Sequence, residues 1–101
     1  MPIKKKWSPF NKETTSKIKN VFGVYEIADC DGNIIYIGEG MLRDRADSHF
    51  LKGRNPIPQA CKIRFDLTGS KRRAEERERA LLNEFLKKNK GTLPRHNKIR
   101  G

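Results

Sequence analysis

A small α/β domain of the α+β type, with a three-stranded antiparallel sheet flanked by helices, is what this chain of 101 residues predicts. Three observations predict it. Residues 23–28 and 33–37 are rich in β-branched and aromatic side chains and flank Asp31-Gly32. That reads as a β-hairpin, because a type I′ turn needs positive φ and glycine accepts it without steric cost. Residues 62–67 alternate charged and apolar side chains, the period of a strand. From Ser70 to about position 90, apolar residues recur at helical spacing with charges between them.

Taken in order, residues 1–22 read as a basic lead-in with one short helix over 11–20, bounded by Pro9 and by the hairpin. Trp7, Phe10, Ile18 and Phe22 should fasten it to the core of the domain proper, residues 23–101. In the hairpin, a two-residue turn sets Tyr25 opposite Gly38 and Ile27 opposite Tyr36. Both phenol rings then share one face as diagonal neighbours, about 7–8 Å apart at the backbone. A three-residue loop would shift the register by one and separate them. Gly38-Glu39-Gly40 leads into a second helix over 41–51, ended by Gly53 and Pro56. Leu42, Ala46 and Phe50 form its buried stripe, with Met41, Arg45 and His49 in the next row. Ser70 caps the long helix, and Gly91 and Pro94 close it.

Composition narrows the function. Lys and Arg number 23 against 12 Asp and Glu, a net charge of +11 that favours a polyanionic partner, DNA or RNA. Residues 23–40 hold Glu26, Asp29, Asp31 and Glu39 but no Lys or Arg, so helices and termini should grip phosphate while the hairpin supplies chemistry. Arg43, Lys52, Arg54, Lys71 and Arg72 are the candidate nucleic-acid contacts, and Lys4-Lys5-Lys6 a candidate binding arm. Cys30 and Cys61 have neither the spacing of a zinc site nor the density of a disulfide framework, so reduced thiols are expected. No run is long and apolar enough for a membrane span, and no signal-peptide core follows the basic start. A cytoplasmic location and no membrane partner follow as expectations.

On the long helix, Ala74, Leu81, Leu82 and Phe85 define an apolar stripe, and Glu78 sits inside it. An ionised carboxylate there should meet a cation or edge into a cleft. Metal ligation and a buried ion pair both satisfy that. Arg45 and His49 are four apart on one helix face and can address a single site. Phosphodiester hydrolysis needs a base, a cation against the charge of the transition state and help for the leaving oxygen. Tyrosine, histidine, arginine and a glutamate-held Mg²⁺ meet those needs.

Together these residues resemble the GIY-YIG nuclease family, over about residues 21–97. Gly23-Val24-Tyr25 matches the first motif with Val for Ile, and Tyr36-Ile37-Gly38 matches the second. Arg45 with His49 is similar to the family's Arg and a His or Tyr four residues on. Glu78 before Leu81, Leu82 and Phe85 resembles its metal-binding Glu, and Leu93-Pro94-Arg95-His96-Asn97 its closing segment with a structural Asn. The resemblance implies divalent-metal-dependent DNA cleavage with Mg²⁺ or Mn²⁺. By that similarity Tyr25 is the base, aided by His49; Tyr36 aligns water and phosphate; Arg45 stabilises the transition state, with Arg43 its rival; Glu78 holds the metal. Gly23, Gly38 and Asn97 are then structural, and His96 incidental. No separate recognition domain is evident, which implies weakly specific or structure-directed cutting, with a homodimer or protein partner for double-strand cleavage. The rivals are an inactive nucleic-acid-binding module on the same scaffold and a basic RNA-binding protein.

Overall fold

The computed structural model describes residues 3 and 5–97. Its elements are β1 (Ser8–Pro9), α1 (Lys12–Ser16), β2 (Phe22–Ala28), β3 (Ile34–Met41), α2 (Leu42–Ser48), β4 (Lys62–Leu67) and α3 (Lys71–Lys88). The strands form one antiparallel sheet in the order β1-β4-β2-β3. The α+β architecture is as expected, with one strand more. β1 pairs Ser8 with Ile63 and Pro9 with Lys62, and two residues including a proline carry no alternation to read. A proline is tolerated there because β1 lies at the sheet edge.

The two inner faces of the sheet are separately covered. Tyr25, Ile27 and Ile63 pack with Ile18, Leu42 and Ala46 of the α1–α2 side. Val24 and Ile37 pack with Leu81 and Leu82 of α3. Central strand β2 is therefore buried from Gly23 to Ala28, including Glu26 at 3% exposure. Arg64 Nε donates to Glu26 Oε1 at 2.6 Å, and Arg77 Nη2 to Asp66 Oδ2 at 2.8 Å. The charged half of the alternation in β4 thus faces α3 and its neighbours. Burial raises the Glu26 pKa and the Arg64 pair pulls it back, with the desolvation prevailing.

The hairpin reaches the expected register by an unexpected route. Asp29 N donates to Asn33 O at 3.0 Å and Gly32 adopts φ +89°, so three residues, Cys30, Asp31 and Gly32, make the loop. Asp29 Oδ1 fixes it by accepting from the backbone N–H groups of Asp31 (3.0 Å) and Asn33 (2.9 Å). Such a loop alone would place the tyrosines on opposite faces. A bulge between Ile27 and Ala28 adds a compensating residue on β3, so Tyr25 still pairs with Gly38 and Ile27 with Tyr36.

The helices are shorter than their sequence patterns. α1 ends at Ser16, because Thr15 and Ser16 turn their hydroxyls onto the Lys12 and Glu13 carbonyls, bonds that compete with a continuing helix. α2 stops at Ser48, where Gly53 folds back tightly and its N–H reaches Phe50 O at 2.8 Å. A Cβ at Gly53 would strike the Asp47 and Ser48 carbonyls. α3 is capped by Ser70 Oγ, which accepts from Arg73 N at 3.2 Å, and closes through Gly91, φ +82°.

The two cysteines correct the expectation of free thiols. Cys30 and Cys61 form a disulfide, with Cα atoms 5.1 Å apart. Antiparallel pairing of Ala28 with Lys62 brings the hairpin tip to the start of β4, so residues 31 apart in sequence meet at one end of the sheet. Among the described residues no helix is long and apolar enough to cross a membrane.

Candidate active site

β2 and β3 present Tyr25 and Tyr36 to the same side, with ring centroids 6.0 Å apart. His49, just past the end of α2, completes the group at 5.6 Å from Tyr25 and 4.8 Å from Tyr36. Gly38 makes this possible. A Cβ there would lie 2.5 Å from the Tyr25 hydroxyl and 2.8 Å from Tyr36 Cε2. Gly23 serves close packing too, since its Cβ would meet Asp66 O and the Leu42 side chain.

Hydrogen bonding fixes the state of His49, which is 1% exposed. Its Nδ1 lies 2.8 Å from the Asn55 carbonyl, which only accepts, so Nδ1 carries a proton. Its Nε2 lies 2.7 Å from the Tyr25 hydroxyl. Burial first, and the neighbouring Arg45 charge, hold the His49 pKa below its usual value despite the Asn55 bond. The ring is therefore neutral near pH 7, and Nε2 accepts the Tyr25 proton. The result is a directed chain, Tyr25 O–H to His49 Nε2, His49 Nδ1–H to Asn55 O.

Tyr25 itself is 0% exposed. Burial first, then the nearby Tyr36 hydroxyl, push its pKa well above 10, and Arg45 beside it only partly opposes them. Arg45 packs against Gly40, and its Nε is buried without a hydrogen-bond partner. Arg43 is committed elsewhere, its Nε donating to Ile18 O at 2.9 Å. Of the two candidate arginines, only Arg45 lies beside the phenols.

A cleft of about 520 Å³ opens over this cluster, and Tyr36, His49 and Glu78 all line it. All five residues singled out as catalytic are thus in one neighbourhood: Tyr25 and Arg45 do not line the cleft, but Tyr25 is bonded to His49 and Arg45 lies beside both phenols. Arg54 also lines the cleft, whereas Lys52 is exposed in the loop after α2. Lys71 and Arg72 pair with Glu75 and Glu76 on the exposed side of α3, both at 3.5 Å. Lys4 lies outside the described residues.

The closing segment does more than its sequence suggests. Asn97 Oδ1 accepts from Ile37 N at 2.7 Å and its Nδ2 donates to Ile37 O at 2.8 Å, while His96 N donates to Ile35 O at 2.8 Å. These bonds cover the free edge of β3. His96, set aside as incidental, lines the cleft, and its Nε2 donates to Gln59 Oε1 at 2.7 Å. Asn55 and Gln59 carry no sequence signal, because their roles depend on where a loop returns.

For a metal ion the donor set is sparse. Among the described residues no group of three or more His, Cys, Asp or Glu is placed to hold one. One carboxylate in an open cleft does not suit zinc, but it suits Mg²⁺, which keeps several waters and shares substrate phosphate oxygens. Glu78 would be that ligand.

No curated protein matches the chain. A family model matches residues 1–88, most of the chain. By that match the protein belongs to the family described as a domain of unknown function, DUF7508.

Proposed function

We propose that this protein is a divalent-metal-dependent DNA endonuclease of the GIY-YIG type. The observation that carries the reading is the chain from the Tyr25 hydroxyl through His49 to Asn55, buried beneath a cleft that Tyr36 and Glu78 line. Packing alone needs no such polar chain under a surface opening, and phosphate binding alone needs cations.

The burial of Tyr25 changes its part in the reaction from the one its motif suggests. A phenol with a pKa well above 10 does not persist as phenolate near neutrality. Its hydroxyl is instead a conduit. Tyr36, at the cleft wall, takes the proton of the attacking water and passes its own to the adjacent Tyr25, which gives its proton to His49 Nε2. His49 is the final acceptor, neutral and held in the right tautomer by Asn55. Arg45, beside both phenols, offsets negative charge as it develops on their oxygens and on phosphate. A Mg²⁺ or Mn²⁺ on Glu78 would neutralise charge at the departing 3′ oxygen.

The test is incubation of the protein with supercoiled plasmid, with and without Mg²⁺ or Mn²⁺, with Glu78→Gln as control. Metal-dependent nicking that the variant lacks supports the reading. Binding without cleavage under every metal condition would favour the inactive module instead.

A further inference from the structure

We infer that the cleft receives one unstacked nucleotide, base as well as phosphate, and that DNA containing an unpaired nucleotide is therefore preferred over continuous duplex. The inference rests on the nuclease reading for the identity of the polymer alone. A phosphate by itself would leave most of the site unused. At about 520 Å³ the cleft falls within the roughly 300–1,000 Å³ of pockets that enclose whole small molecules. Its lining is also mixed, with Arg54 and Asn55 beside apolar and aromatic side chains that an anion alone would not use. Pro56, Ile57 and Leu82 are apolar, and Tyr36 and His96 bring rings. A phosphodiester gains little from such surfaces, whereas every base has a π-face that stacks on them.

The ring farthest along the chain is positioned for this use. His96 is held by its backbone to Ile35 and by its Nε2 to Gln59, so it joins the β3 edge to the loop after α2. Arg54, which also lines the cleft, supplies a cation for the phosphate of the same nucleotide. In continuous duplex the base is stacked and paired, and turning it out costs a few kcal/mol. A bulged, flapped or mispaired nucleotide avoids most of that cost, which makes shape the determinant of substrate choice.

The experiment measures binding of the full chain in EDTA, by fluorescence anisotropy, so catalysis does not enter. Three DNA probes are compared: a duplex, the same duplex with one bulged nucleotide, and the duplex with an abasic bulge. The bulge is expected to bind about tenfold more tightly than the abasic bulge, in line with the loss of one stacked base. Equal affinity for the two bulges overturns the inference on the unmodified protein, whatever any variant does. His96→Ala is expected to erase the difference, and the exposed Gln59→Ala, which threatens no core contact, to reduce it. Tighter binding of the equivalent RNA bulge would overturn the choice of DNA. Cleavage with Mg²⁺ is scored separately. Base-dependent binding without cleavage sinks the nuclease reading alone, and cleavage without base dependence sinks this one alone.

Discussion

Replacing Tyr25 by Phe removes one oxygen, and the structure assigns that oxygen two separable effects. Its loss leaves the buried His49 Nε2 without its donor, since the 2.7 Å bond is the one that nitrogen makes to the Tyr25 hydroxyl. An orphaned buried acceptor costs about 1–3 kcal/mol. For a domain of this size that lowers Tm by roughly 5–20 °C, so the variant should fold but melt early. Cleavage should fall by about 10²–10⁴, the range for loss of a positioned proton acceptor. Circular dichroism melting and plasmid nicking measure the two effects on one preparation. The double variant Tyr25→Phe with His49→Phe removes both ends of the bond and should regain part of the stability, because no buried acceptor is left facing the former hydroxyl position. The Asn55 carbonyl, which loses its His49 donor, belongs to an exposed loop residue that water can reach. Its cleavage should stay lost. Near-normal nicking by Tyr25→Phe, at the expected loss of Tm, would refute the relay and leave the bond a structural one.

Other outcomes follow from the same geometry. Glu78→Gln should abolish metal-dependent nicking yet keep DNA affinity, measured by mobility shift; retained nicking would remove Glu78 as ligand. The rate should fall on the acid side with a midpoint below about 6.5, because His49 accepts only when neutral and its environment lowers its pKa. Stability attached to the neutral ring is complete above about 6.5 and is lost as pH falls toward the lowered value. An acid limb centred above 6.5 would contradict this. Reduction of the disulfide, or the pair Cys30→Ser and Cys61→Ser, should lower unfolding free energy in urea by about 3–4 kcal/mol, from the chain entropy of a loop of 31 residues. A stability unmoved by reductant would contradict that.

What could be read in advance was what depends on local pattern. The helix capped by Ser70, the strand over 62–67 and the acid inside the α3 stripe follow from periodicity alone, and each is in place. What could not be read depends on the return of distant segments. Cys30 and Cys61 are joined because β2 pairs with β4, a fact no spacing contains. Glu26 looks like an ordinary strand charge between Tyr25 and Ile27, yet burial under α3 obliges it to find Arg64. Gln59 and Asn55 enter the site only once the loop after α2 has closed.

The hairpin register shows why some features survive an imperfect reading. Because side chains alternate with period two, the face on which Tyr36 lies depends on the sum of loop length and bulges, not on either alone. The loop has one residue more than a type I′ turn, and β3 carries one extra residue at the bulge, so the parity is restored. The contact that holds this register is at Gly38. Shifting β3 by one would bring Ile37 or Glu39 opposite Tyr25, and any Cβ in the place of Gly38 would strike the Tyr25 hydroxyl. The two tyrosines, the glycine between their rings and the histidine beneath them are thus one packing unit. The bulge is what lets a three-residue loop serve that unit, and it follows that removing the bulge residue alone, or shortening the loop by one while the bulge stays, would scatter the site, whereas making both changes together would restore it.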